Sequence, residues 1–339
     1  MKTSRASDLS RWIISPAFDL AFLANLWWIG LVFLPNPAAA SQDGPLVFWQ
    51  LYFITTPHRW LTLFLVATDP YRRQGRTRLF IGLAIACAVV VLAYWSVYET
   101  FRCLLFIDYL WNAWHFGSQH AGILRTYGRK AGGGRPKLEL NIIRFFVMYV
   151  ALRTATGLHG WMELYPVAGQ FIGIVDLIAM AAPGLLVGLE LSHAPTQRLG
   201  KLVYLCSVYF IYSALLIAIR RSAYAWILPL TVGTAAFHAV EYLAFVTYYA
   251  RRRRDTGSES LFRAMARNWL QVLAIYMIAT GIVSSYCVVV DNRYYDIYLG
   301  LNIWAAFLHY AYDGMIWKLR RPDTAKVLGL ELGQPQTAA

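Results

Sequence analysis

The sequence predicts an all-α fold, a polytopic bundle of about ten transmembrane helices, from three observations. The first is composition. Of 339 residues 58% are hydrophobic and 14% charged, and the mean hydropathy is +0.44, whereas a soluble domain carries about 25% charged residues. The second is segmentation: the apolar residues fall in runs of about 18 to 25, the length needed to cross about 30 Å of hydrocarbon. The third is that Lys and Arg gather in short clusters between those runs.

Taken in order, the first span covers 14–34. It is of full span length, carries Asp19 and lacks a small-residue cleavage site, so it reads as a span and not as a removed signal peptide. Spans 46–68 and 79–98 flank the basic cluster Arg72 to Arg78, and spans 103–124 and 141–158 flank Arg125 to Lys137. Spans 166–190 and 202–219 enclose Arg198 to Lys201, and span 224–249 ends at Arg251 to Arg254. Spans 268–290 and 297–317 follow, the last ending at Lys318 to Arg321. With ten spans all these clusters and the basic N-terminus fall on one side, so the positive-inside rule makes both termini cytoplasmic in the cell (inner) membrane. Arg220 and Arg221 stand outside that pattern. The expected organisation is a single transmembrane domain over 1–322 and a disordered cytoplasmic tail over 323–339.

The net charge of +13 would suggest nucleic acid in a soluble protein. Here the positive residues sit in the connections and report topology, so no nucleic-acid partner is expected. The four cysteines, Cys87, Cys103, Cys206 and Cys287, form no CxxC or CxxCH pattern, which argues against a disulfide framework, a zinc knuckle or covalent haem.

Ionisable side chains inside hydrocarbon are costly and mark function or pairing. Counting back from the first basic residue at each cytoplasmic end, His58 lies 14 residues before Arg72, His115 10 before Arg125, His238 13 before Arg251 and His309 9 before Lys318. At 1.5 Å per residue all four fall about 14 to 21 Å from the inner flank. The four helices run in the same direction, so these depths compare directly, and one shared metal site is expected.

Three of the histidines have a carboxylate on their own helix at helical spacing. Asp108, Asn112, His115 and Gln119 form one stripe, Glu241 follows His238 at i+3, and Asp313 follows His309 at i+4. A metal-bound imidazole needs such neighbours, because its second ring nitrogen must be held by an oxygen acceptor. The expected assignment is His58, His115 and His238 on the metal, with His309 or Glu241 completing the shell. Asp313, Asp108 and Gln119 then orient the rings. His120, at i+5 from His115, is a ligand of the second rank. Trp60, Trp111, Trp114 and Tyr242 are candidates to line a substrate cavity. The competing interpretation is an interhelical hydrogen-bond cluster that binds nothing. His159 and His193 are expected to be solvated, Arg59 to face an anionic headgroup or Asp108, and Asp19 and Asp176 have no assigned role.

The segments TTPHRW, AWHFGSQHAG, AFHAVEYLAFV and LHYAYDGMIWKLRRP resemble, in that order, the motifs of the Brp/Blh family of membrane carotene dioxygenases, which cleave β-carotene to retinal. His58 matches that family's early Pro-His, His115 its His-Phe-Gly, His238 the first residue of its His-x-x-x-His, and His309 with Asp313 its C-terminal segment. Tyr242 stands where the second histidine of the pair is expected, and Arg59 replaces a small residue. The resemblance implies a shared metal scaffold.

Together these readings predict a membrane-embedded, histidine-ligated non-haem iron oxygenase, Fe(2+) being favoured over other transition metals by imidazole and carboxylate donors. Its partners would be a lipophilic small molecule such as a polyene, carotenoid or lipid chain, the surrounding membrane lipid, and an electron donor the sequence does not specify. Two alternatives are a b-type haem electron-transfer protein, and a transporter or assembly factor with an intramembrane His/Asp/Glu relay.

Overall fold

The computed structural model describes residues 12–31, 44–158, 166–193, 198–254, 259–290 and 292–318. Its regular structure is helical, and no strand occurs among the described residues. Helix α1 (Pro16–Phe18) continues as a π-helical turn (Asp19–Leu23) and is followed by α2 (Trp28–Leu31). Next, α3 (Pro45–Gln50) leads through a π-helical turn (Leu51–Thr55) into α4 (Thr56–Thr68), and α5 (Pro70–Arg73) follows. The long helices are α6 (Thr77–Tyr98), α7 (Arg102–Lys130), α8 (Pro136–Leu158), α9 (Pro166–Leu191), α10 (Leu199–Arg220) and α11 (Tyr224–Arg254). The chain then forms α12 (Leu261–Ala266), α13 (Trp269–Ser285) with a terminal π-helical turn (Tyr286–Val290), and α14 (Tyr295–Ile316). The tail 323–339 and His159 lie outside the described residues.

Among the described residues five helical segments are long and apolar enough to cross a membrane: 77–98, 170–191, 199–220, 224–254 and 269–289. Few residues of α6 and α13 are buried, and Leu92 at 66% and Ile275 at 69% are exposed. Water would penalise that much apolar surface by about 25 cal/mol per Å². Hydrocarbon does not, so the exposed faces specify the solvent.

The run 14–34 does not form one helix over its described residues. Asp19 is wholly buried and accepts hydrogen bonds from the backbone N–H groups of Ile13 (2.6 Å), Ile14 (3.1 Å) and Ser15 (3.4 Å) and from the Tyr127 hydroxyl (2.8 Å). These bonds fold the segment before α1 back onto the helix, and Asn25 at φ 48° turns the chain again. Hydropathy registers the apolar run but not the carboxylate that bends it.

The chain divides into two compact units, residues 1–50 with 110–242 and residues 51–109 with 243–339. In the first, α8, α9 and α10 pack pairwise. Their polar interior is Asp176, held by Arg153 Nε at 2.9 Å and Arg153 Nη2 at 3.3 Å and by the Tyr149 hydroxyl at 2.6 Å. A buried charge left without such a partner would cost several kcal/mol. Gly117 brings α7 and α8 together, because a Cβ there would lie 2.9 Å from the Arg144 Cα.

In the second unit α14 packs on α4 and α6, and α13 packs on α4 and its preceding π-helical turn. Val91, Phe101, Leu104, Ile303, Ala306, Phe307 and Tyr310 form a core cluster. At one end Arg72 donates to the Ile316 carbonyl (2.9 Å) with its guanidinium over the rings of Tyr249 and Trp317. Asp69 caps α5 and accepts from Tyr249 and Arg253. These contacts fix the ends of α4, α11 and α14, and therefore the height of the histidines on α4 and α14.

Candidate metal centre

Within the second unit His58 and His309 come together from α4 and α14. Their ring centroids are 4.9 Å apart at 87°, and each offers a ring nitrogen within 4.8 Å of the other's. Both are buried, at 2% and 0% exposure. His58 Nδ1 bonds to the Thr55 carbonyl oxygen one turn back. A carbonyl only accepts, so Nδ1 carries the proton and the lone pair is on Nε2. His309 Nδ1 lies 2.6 Å from Thr62 Oγ1, whose hydroxyl donates to Asp313 Oδ1 at 3.1 Å. The hydroxyl therefore accepts from Nδ1–H, and His309 also presents Nε2 as the basic nitrogen. Asp313 Oδ2 is 3.7 Å from the same Nδ1. Both rings are thus fixed in the tautomer in which Nε2 can ligate a metal.

Within the first unit His115 on α7 meets His238 on α11, with ring centroids 5.0 Å apart at 82°. His238 is fully buried and its ring stacks on Phe116 at 4.0 Å and 21°. The three residues of the His-Phe-Gly segment therefore have separate jobs: His115 faces His238, Phe116 packs against the His238 ring, and Gly117 admits α8.

Beside this pair is a cluster of different character. His120 is fully buried. Its Nδ1 lies 3.1 Å from the Tyr204 hydroxyl and 3.2 Å from Glu241 Oε1, and its Nε2 lies 3.2 Å from the Tyr212 hydroxyl. Tyr204 donates to Glu241 Oε1 (2.8 Å), and Gln119 Nε2 donates to Glu241 Oε2 (3.0 Å) and to the His238 carbonyl (2.9 Å). Gln119 therefore holds the Glu241 carboxyl and the α11 backbone, not an imidazole ring.

Asp108 accepts from the Tyr310 hydroxyl (2.9 Å) and pairs with Arg59 Nη1 (3.8 Å), which settles Arg59 on the carboxylate of the two partners the sequence allowed. Of the four expected cavity residues, Tyr242 is buried and Trp60 half-buried, with its indole N–H donating to Asn302 (3.2 Å). Trp111 and Trp114 are exposed, and the Arg144 guanidinium lies over the Trp114 ring. His193 is exposed, as expected of it.

Sequence reasoning missed Thr55, Thr62, Phe116, Tyr204 and Tyr212. A signal existed for Thr62, which follows His58 at i+4 and so shares its helix face. None existed for Tyr204 and Tyr212, whose partner His120 lies more than 80 residues away.

The donor set is imidazole at both pairs, with the Asp313 carboxylate beside His309, and the described cysteines are all free. Such a set fits iron, zinc or copper better than the thiolate-preferring structural sites. Comparison with protein-family models, curated proteins and solved structures finds no match to this chain.

Proposed function

We propose that this chain is an integral-membrane, histidine-ligated non-haem iron oxygenase acting on a lipophilic substrate, with His58 and His309 among its metal ligands. The carrying observation is that the buried His58–His309 pair is held by Thr55, Thr62 and Asp313 with Nε2 basic on both rings. Histidines that serve only as helix-to-helix bonds gain nothing from being fixed in the same tautomer side by side. In the first unit His115 and His238 form a second buried imidazole pair of the same chemistry. The resemblance to the carotene dioxygenases supports a polyene or another long apolar substrate, and the apolar runs with their one-sided basic clusters support ten spans and cytoplasmic termini.

In this proposal Thr62 and Asp313 keep His309 oriented, Thr55 does so for His58, and the Phe116 ring keeps His238 from rotating. The low exposure of all four rings keeps water from the reacting atoms. Bound iron supplies oxygen activation, and the protein supplies orientation, exclusion of water and an apolar approach for the substrate. Neither pair suits a haem between its own rings, because imidazoles packed edge to face at 4.9 and 5.0 Å leave no slot for a macrocycle.

The test is metal analysis and an optical spectrum of protein purified after expression with iron available, followed by oxygen uptake with a polyene added. About one non-haem iron per chain and substrate-dependent uptake are expected. A Soret band, or a metal-free folded protein, would contradict the proposal.

A further inference from the structure

A second polar site lies within the first unit, at the end where α7 and α9 finish and α8 and α10 begin. Lys201 is fully buried there, with its ammonium donating to Glu139 Oε1 (2.7 Å) and Glu190 Oε1 (2.6 Å). The sequence places Lys201 in a basic flank that reports topology, yet the side chain points inward. The glycine loop closes over it. Gly134 has φ +154°, where an L side chain is strained, and a Cβ on it would crowd Glu139 Oε1 at 3.0 Å and Lys201 Nζ at 3.2 Å.

These residues line a cavity of about 150 Å³, with Arg135, His193 and Arg198 also on its wall. That volume is small for a drug-sized ligand and has room for a polar group of a few atoms. Two features say which group. Glu190 Oε2 is buried and accepts no hydrogen bond; its ion-pair partner Arg198 Nη1 is 3.5 Å away. Oε2 has no accessible surface of its own, so a ligand's donor reaches it only as Arg198 turns from it onto the ligand's anion. On the cation side, Lys201 and Arg198 balance Glu139 and Glu190, which leaves the exposed Arg135 as surplus positive charge at the mouth. Arg135 and Arg198 also precede the first turns of α8 and α10, where the helix dipoles add positive potential.

We propose that this cavity binds a phosphoethanolamine group, with the phosphate on Arg135 and Arg198 and the ammonium on Glu190. The position at the helix ends beside a basic cluster suits the headgroup of a membrane phospholipid, and the free compound carries the same chemistry. The site is independent of the metal reading.

The experiment uses the full-length protein in detergent and follows thermal unfolding by tryptophan fluorescence. Added ligands are short-chain phosphatidylethanolamine, the matching phosphatidylcholine and phosphatidylglycerol, and soluble phosphoethanolamine. Phosphatidylethanolamine should stabilise at concentrations about tenfold below phosphatidylcholine, whose quaternary ammonium has no N–H to donate. Arg135→Ala, a surface change, should weaken that effect about tenfold. Glu190→Gln should erase the preference for ethanolamine over glycerol while retaining phosphate binding. Stabilisation by the lipid alone assigns the cavity to the headgroup, and equal stabilisation by soluble phosphoethanolamine assigns it to the free compound. Equal response to ethanolamine and choline lipids, or a response undiminished in Arg135→Ala, would overturn the proposal.

Discussion

The His58–His309 pair and the His120 cluster are both buried, both hydrogen-bonded and both membrane-embedded in the sequence reading, yet they are built differently. At His58 and His309 the oxygen partners, Thr55 and Thr62, meet Nδ1 on each ring. At His120 both nitrogens are engaged, Nδ1 by Tyr204 and Glu241 and Nε2 by Tyr212. In the proposed function the first arrangement sets the tautomer that lets Nε2 ligate a metal, whereas the second uses the imidazole as a strut joining α7, α10 and α11. Burial and residue type alone do not distinguish the two arrangements.

The largest effect expected from this difference is on metal retention. His309→Ala should remove most of the iron while the folded protein persists, since the α14 core contacts around Phe307 and Tyr310 remain. Metal analysis on monodisperse protein checks this, and a variant that keeps wild-type iron would make His309 a strut as well.

Thr62→Val comes next. It removes the hydroxyl between His309 and Asp313 but keeps the volume, so iron affinity should fall about 10- to 100-fold with little change in folding. A competition titration with a chelator reads this directly. An unchanged affinity would mean that Thr62 does not set the His309 tautomer.

His120→Phe should show the opposite pattern. Breaking the bonds to Glu241, Tyr204 and Tyr212 should lower stability by about 2–5 kcal/mol, while iron per folded chain stays near wild type. Unfolding in denaturant together with metal analysis separates the two quantities. Iron loss in proportion to that of His309→Ala would place His120 among the ligands.

The smallest effect is expected at Asp108. Its bonds run to Arg59 and Tyr310, so Asp108→Asn should lower stability by about 1–3 kcal/mol and leave the metal untouched.

Much of this was legible in the sequence because helices impose fixed spacing. Over the described residues nine of the ten drawn segments are helical, and of the histidine neighbours at i+3 and i+4 Asp313 lies beside His309 whereas Glu241 bonds His120, Tyr204 and Gln119. The Asp313 expectation met a side chain beside its own histidine. Gln119 and Asp108 share the His115 stripe by periodicity, but their partners are chosen by neighbouring helices: Glu241 and the His238 carbonyl for one, Arg59 and Tyr310 for the other. The hook at Asp19 and the inward turn of Lys201 were illegible for the same reason. A carboxylate gathering backbone N–H groups and an ammonium drawn between two glutamates are set by chain segments distant in sequence.

The central claim is that His58 and His309 are metal ligands and His120 is not. Its most direct measurement is iron per folded chain, after expression with iron available, in wild type, His58→Ala, His309→Ala and His120→Phe. Iron near one per chain in the wild type and His120→Phe, with most of it lost in the other two, is the predicted result. Iron absent from the wild type, or equal in all four proteins, would contradict the account.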